Sequence, residues 1–323
     1  AKMNKGRTKT MKQAAERLKQ AVGAGIFLTD EPMSRHTTFR TGGPADIYIE
    51  PSGVEELKQV LDICREENVA YTIIGNGSNL LVADHGYEGF VLVGDGGYRG
   101  VLISFGKPFA QVTIEGAQVR TGAGALLSAV AKQVLNASLT GFEFAAGIPG
   151  TIGGAVVMNA GAYGGELCQV LREATVLTPE GEVKTLPAEE LELGYRTSCV
   201  QKNGYIVLEA VLQLQPGNAD DIRAVMDALA SKRREKQPLE YPSAGSTFKR
   251  PEGHFAGRLI QDAGLRGFRV GGAQVSEKHC GFVINRDHAT SADILSLCRQ
   301  VQEKGKAQSG EELELEVKLL GEF

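Results

Sequence analysis

Gly75-Asn76-Gly77-Ser78-Asn79 joins two short apolar runs, Tyr71–Ile74 and Leu80–Val82. Its small residues leave consecutive backbone N–H groups uncovered, and Ser78 and Asn79 add side-chain donors. Such a concavity suits a pyrophosphate. The same five residues would equally make a plain hairpin turn. No Gly-Lys-Ser/Thr follows, so it is not a Walker loop. The third glycine and following helix of a dinucleotide fingerprint are also missing. Gly122-Ala123-Gly124 lacks that third glycine too and reads as a turn opening a helix. A second stretch, Gly141 to Glu166, has eight glycines in 26 residues, interleaved with Phe142, Phe144, Ile148, Ile152, Val156, Val157 and Met158. Glycine is used where a side chain would block a backbone conformation or another molecule's approach. The run therefore implies a flat ligand lying on main chain, or else tight turns between core strands.

The segment Gly194-Tyr195-Arg196-Thr197-Ser198 precedes an apolar run from Ile206. The last section opens with Tyr241–Pro251, whose Pro, Ser, Ala and Gly are turn residues. Glu314 and Glu316 alternate with Leu313, Leu315 and Val317. Period 2 puts both carboxylates on one face of a strand, which could also be a solvated edge. Lys232-Arg-Arg-Glu-Lys236 ends a helix, where basic residues suit the macrodipole.

The chain has 323 residues, net charge -4 and mixed charges. That length suggests two or three domains, and no basic stripe marks a nucleic-acid surface. No run approaches a membrane span. The basic segment Lys2–Lys12 lacks the apolar region of a secretory signal. Five scattered cysteines form no CxxC pair, so reduced thiols in a cytoplasmic protein are expected. The histidines show no metal-ligand spacing; His279-Cys280 is merely adjacent.

The elements follow from periodicity. Helices are expected over Thr10–Val22, Val54–Glu67 (Val54, Leu57, Leu61 and Cys64 inward), Ala125–Asn136, Ala219–Lys236, Ala256–Asp262 and Ser291–Lys304. Strands are expected after the Gly42-Gly43-Pro44 turn, at Tyr71–Ile74 and Leu80–Val82, over Ile206–Leu214 and near Gln274 and Phe282. Hairpins are expected around Gly116 and Pro179-Glu-Gly181, and a strand at Leu313–Leu319.

In order, HTTFRTGGPAD, GNGSNLLV, GFEFAAGIPGTIGGAVVMNAGAYGGE, GYRTS, KQPLEYPSAGSTFKRP, HFAGRLIQDAGLRG and LELEVKLLG resemble the UDP-N-acetylenolpyruvoylglucosamine reductase family. The resemblance runs from about Glu31 to Phe323. It implies an α+β fold: a two-part FAD-binding region of the vanillyl-alcohol-oxidase-like (PCMH-type) group, plus a C-terminal α+β substrate-binding domain. The implied divisions are an N-terminal helix or tail over 1–30, FAD-binding subdomains over 31–95 and 96–236, and a substrate domain over 237–323. FAD would be non-covalent and reduced by NADPH. Hydride would then pass to UDP-N-acetylglucosamine enolpyruvate, giving UDP-N-acetylmuramate for bacterial peptidoglycan. A cytoplasmic monomer is expected, with no nucleic acid, membrane or metal.

The resemblance also assigns residues. Arg196 matches the arginine facing the substrate carboxylate, Ser246 the serine delivering a proton to carbon, and Glu316 a glutamate near that carbon. Gly75, Asn76, Gly77, Ser78 and Asn79 fall to the pyrophosphate. Gly153, Gly154, Val157 and Gly161 fall where main chain approaches FAD, with Ile206 and Arg233 as further contacts. Tyr195 and Lys236 fall to the sugar nucleotide, Lys236 at its diphosphate, and Lys249 is a second candidate there. Only 50 positions separate Arg196 from Ser246, too few for the inserted tyrosine loop of the longer branch, and Arg250 stands where that branch has asparagine. The chain resembles the shorter branch. Two other readings remain: an alcohol or sugar oxidase with histidine-tethered FAD, for which His36 is the nearest candidate but lacks the tether context, and a non-catalytic nucleotide-binding module.

Overall fold

The computed structural model describes residues 13–84, 100–321 and 323. The basic segment Lys2–Lys12 and the start of the expected N-terminal helix lie outside the described residues. Residues 13–21 are helical, with Ala14 and Leu18 fully buried. Arg17 bonds Glu66 and Glu67 at the C-terminal end of the helix Val54–Glu66. That helix buries Leu57, Val60, Leu61 and Cys64.

The chain divides into two compact units. The first is Ala1–Phe27, Ile49–Asn76 and Leu102–Lys232; the second is Leu28–Tyr48, Gly77–Val101 and Arg233–Phe323. One dividing line passes between Asn76 and Gly77, inside the GNGSN loop, and another inside the helix Ala219–Lys236.

The first unit is built on a five-stranded antiparallel sheet. Its order is Val183–Pro187, Leu171–Leu177, Ile206–Gln213, Gln118–Gly122 and Val112–Glu115. Both expected hairpins form its outer pairs. Helices Leu127–Asn136 and Ile152–Met158 add Leu127, Val130, Val134, Ile152 and Val156 to the core over the sheet. Leu171, Ala174 and Val176 of Leu171–Leu177 join the same core, with a register shift between Leu171 and Glu173 resetting the alternation. A Cβ on Gly122 would fall 2.0 Å from Phe109 O. That glycine therefore serves close backbone packing.

The second unit packs helices Ala256–Asp262 and Ser291–Ser309 with a three-stranded antiparallel sheet, Arg269–Val270, Ala273–Val275 and Val283–Asn285. Helix Ser291–Ser309 starts with a Thr290–Asp293 capping box. The Asp84 carboxylate also accepts from the amides of Ser291 and Ala292 at 2.8 and 2.9 Å. A negative charge there offsets the helix dipole. Sequence ended this helix at Lys304, but it runs through buried Gly305, where a Cβ would come within 3.3 Å of Leu313 Cδ1. Gly310, at φ +77°, stops it.

The expected strand Leu313–Leu319 is shorter. Leu315 makes an isolated bridge with Phe248, and only Lys318–Leu320 is regular strand, parallel to Leu80–Val82. The alternation is real, since Leu313 and Val317 are buried while Glu314 is exposed. The partner is what is short: Thr247 to Lys249 supplies two ladder bonds, and Gly245, at φ +71°, turns the chain just before it.

Candidate active site

In the first unit, the glycine-rich stretch folds as turns, the helix Ile152–Met158 and a short hairpin, Gly161–Ala162 with Gly165–Glu166. Thr151 caps the helix, its hydroxyl accepting from Gly154 N at 3.3 Å. Asn76 donates from Nδ2 to Pro149 O at 2.7 Å, so this end of GNGSN rests against the stretch.

Several glycines there are demanded by the protein itself. A Cβ on Gly75 would lie 2.7 Å from Thr151 Oγ1, on Gly153 3.1 Å from Ala123 Cβ, and on Gly161 2.6 Å from Gly165 O. Gly154 differs. It is exposed, and among the described residues an added Cβ would meet only Thr151 Oγ1, at 3.5 Å. None of the described residues forbids a side chain at Gly154.

Asn159 ends the helix in the left-handed region, at φ 43°. Beside it, Gly194 and Thr197 exchange backbone bonds at 3.1 and 3.3 Å, closing a tight turn with Tyr195 and Arg196 at its tip. Arg196 has φ +54°, uncommon for a non-glycine residue and a form of stored strain. Its Nη2 donates to Gly161 O at 3.4 Å, and its guanidinium lies 5.2 Å from the Tyr195 ring centre. Tyr195 is half exposed. Val157 packs half-buried against the core, and its carbonyl accepts from Ser198 Oγ at 2.8 Å. Ile206 is buried opposite Leu177. Among the FAD candidates of this unit, Gly75, Asn76, Gly153 and Gly154 thus come together around Thr151, while Ile206 sits in the sheet.

In the second unit, Gly77 is buried at φ +62°, and a Cβ there would fall 1.9 Å from His36 O. Only glycine fits this turn. Asn79 Nδ2 donates to Glu316 O at 3.1 Å, and Lys318 N donates to Asn79 O at 2.9 Å. The side chain of Asn79 holds the segment that carries Glu316. Glu316 N donates to Thr247 O at 2.9 Å, and Lys249 N to Glu314 O at 2.8 Å. Glu316 therefore lies across from Thr247, with exposed Ser246 one residue along. Thr247 is buried, and its Oγ1 accepts from Val283 N at 2.9 Å. Lys249 is paired with Glu314 at 2.7 Å on the surface. Arg233 is half-buried and Lys236 exposed.

His36 bonds Glu31 at 2.9 Å and stacks on Tyr48. Cys64 and Cys298 are pushed up to about 12 by burial, so neither is a thiolate. Among the described residues, no three His, Cys, Asp or Glu side chains gather as a metal set. No helix among them is long and apolar enough to cross a membrane.

These residues fit a pyrophosphate-bearing cofactor. Within the second unit, no acceptor among the described residues takes the amides of Gly77 and Ser78, and adjacent N–H groups of this kind favour an anion.

Residues 45–187 match the model of an FAD binding domain. Residues 237–320 match the model of the UDP-N-acetylenolpyruvoylglucosamine reductase C-terminal domain. A UDP-N-acetylenolpyruvoylglucosamine reductase of Agathobacter rectalis is 53% identical over 309 residues, covering 92% of this chain and 95% of that protein. The chain belongs to the UDP-N-acetylenolpyruvoylglucosamine reductase family. The Lachnoclostridium phytofermentans reductase is 52% identical over 307 residues, covering 95% of this chain and 97% of that one. The crystal structure of the Thermus caldophilus reductase superposes with a TM-score of 0.76 at 34% identity, covering 92% of this chain and 98% of that one. The α+β fold class, with an FAD-binding portion and the family's own C-terminal domain, is the one expected from sequence.

Sequence reasoning missed Thr151, Asn159 and Thr247. Thr151 had a visible signal, a threonine before a helical run. Asn159 had a weaker one, an asparagine where a helix ends. Thr247 had none, because its partner Val283 is 36 residues away.

Proposed function

We propose that this chain reduces UDP-N-acetylglucosamine enolpyruvate to UDP-N-acetylmuramate, drawing hydride from NADPH through FAD. The observation that carries the reading is the match over 237–320 to the reductase's own C-terminal domain, the part that holds Ser246 and Glu316. FAD, when bound, relays hydride from NADPH to the enolpyruvyl double bond. The protein positions the groups that handle the resulting charge and proton.

Hydride addition at the terminal carbon develops negative charge on the neighbouring carbon and its carboxylate. Arg196 pairs with that carboxylate; a guanidinium stays charged and forks onto it. Its strained turn, tied to the helix Ile152–Met158 by Asn159 and Ser198, fixes the root of the side chain. Ser246 donates its hydroxyl proton to the carbon and recovers one from solvent. The Glu316 carboxyl, held one residue along by the Thr247 backbone bond, polarises the substrate carboxylate. Lys236 and Tyr195 serve the sugar nucleotide, with Lys249 as a second candidate. The amides of Gly75–Asn79, together with Gly153, Gly154, Val157, Gly161, Ile206 and Arg233, serve FAD. The functional divisions lie near residues 31, 96 and 237. The enzyme works as a cytoplasmic monomer in peptidoglycan precursor synthesis, and so bears on cell shape and division.

Stopped-flow absorbance at the flavin band tests this. NADPH should bleach the purified holoenzyme, and the sugar nucleotide should restore its colour. In Ser246→Ala, bleaching should persist while recolouring slows by about 10²–10⁴-fold, the usual contribution of a general acid. Recolouring at the parent rate would exclude Ser246 as the acid. A parent enzyme that NADPH does not bleach would sink the whole reading.

A further inference from the structure

Asn159 is 1% exposed, and every polar atom of its side chain is in use. Its Nδ2 donates to Gly194 O at 3.1 Å and to Glu166 Oε2 at 3.2 Å. Its Oδ1 accepts from Cys168 N at 2.9 Å. The backbone is left-handed, at φ 43° and ψ 58°. Glycine would end the helix at no steric cost and is the usual choice there. The chain instead carries a residue that tolerates this conformation and also bears a primary amide.

That choice has a chemical logic. Only a primary amide can donate twice and accept once at these three partners. Aspartate would keep the bond from Cys168 N, but it would set a carboxylate against Glu166 and the Gly194 carbonyl. Glutamine is a methylene longer and poorly suited to the left-handed region.

The partner that matters is Gly194 O. Gly194 opens the two-residue turn whose tip is Arg196, and Arg196 itself is held at φ +54°. A strained turn persists only when its surroundings over-determine it. Here three ties do so: Asn159 to Gly194 O, Ser198 Oγ to Val157 O, and Arg196 Nη2 to Gly161 O. All three run to the chain segment 157–161. The helix end thus sets both the root and the head of the arginine.

We propose that Asn159 is a positioning residue for Arg196, fixing the guanidinium for a carboxylate-bearing substrate. This rests on the assignment of Arg196 to the substrate carboxylate. A misplacement of about 1 Å in such a group can cost about 10²-fold in rate.

The test uses Asn159→Gly, which keeps the left-handed backbone and removes only the amide, and Asn159→Asp, which keeps the acceptor and removes both donors. Both are compared with Arg196→Lys and with the double variant Asn159→Gly/Arg196→Lys. FAD content, bleaching by NADPH and recolouring by the sugar nucleotide are read separately. Asn159→Gly and Asn159→Asp should retain FAD and bleach at the parent rate. Their recolouring should slow about 10–100-fold, with a raised KM for the sugar nucleotide and an unchanged KM for NADPH. The double variant should be little slower than Arg196→Lys alone, because both changes disable one group. Parent-rate recolouring in Asn159→Gly, alongside a slowed Arg196→Lys, would overturn the proposal and leave the enzyme's function standing. Equal slowing of both half-reactions, or loss of FAD, would also overturn it, by showing a general structural role. Arg196→Lys at full speed would remove the assignment on which the proposal stands.

Discussion

Gly154→Ala separates folding from cofactor binding at one atom. Gly154 is the third residue of helix Ile152–Met158, and among the described residues an alanine Cβ there would meet only Thr151 Oγ1, at an ordinary 3.5 Å. Alanine in a helix is favoured over glycine by about 0.5–1 kcal/mol, so the FAD-free protein should gain that much stability. The same methyl stands where the cofactor is proposed to lie on bare backbone. Forcing an extra carbon into a filled contact costs about 1–3 kcal/mol, which is roughly a 5–150-fold rise in FAD Kd. The two effects have opposite signs, which makes the test sharp. Gly153→Ala is the control: its Cβ would sit 3.1 Å from Ala123 Cβ and 3.2 Å from Ala123 O, so it should destabilise the FAD-free protein. Thermal unfolding of the FAD-free protein and fluorescence titration with FAD read the two quantities independently. An FAD Kd in Gly154→Ala within about twofold of the parent, well short of the smallest rise expected, would mean that the cofactor does not lie against Gly154.

Two further outcomes follow from buried groups of the second unit. Thr247→Val keeps shape but leaves the Val283 amide without its acceptor. An orphaned buried donor costs about 1–3 kcal/mol, so the melting midpoint should drop by roughly 2–4 °C per kcal/mol, and an unchanged midpoint would show that bond to be idle. His279 is held below the ordinary histidine pKa by burial, against an opposing backbone hydrogen bond. Its Nδ1 accepts from Gly281 N at 3.1 Å. A folded value below the unfolded one means full stability above about pH 6.5, lost as pH falls through the folded value. In His279→Asn, the fall of the melting midpoint between neutral and mildly acid pH should be shallower than in the parent; equal slopes would refute the assignment.

Local pattern was enough for several elements. Helices Ala219–Lys236 and Ala256–Asp262 and the strands Tyr71–Ile74 and Leu80–Val82 stand where periodicity and punctuation put them, because a helix face or a strand face is written within a few residues. The motifs in order were enough for the family. The reasons behind individual glycines were not legible. Gly75, Gly153 and Gly161 are small because Thr151, Ala123 and Gly165 stand over them, while at Gly154 no described residue comes closer than an ordinary contact. Sequence could not tell these two cases apart.

Sequence by itself determined most of the long helices and several strands, though not the short helix Ile152–Met158, and which side chains are chemically able to act. Tertiary structure alone decided what each polar group faces. Asn79 spends its amide on a carbonyl 237 positions away at Glu316, and Asn159 spends its own on the arginine turn 35 positions away at Gly194. The physical reason is that periodicity is a property of neighbours along the chain. A hydrogen bond depends on distance and angle in space, and chain closure over hundreds of residues leaves no local trace.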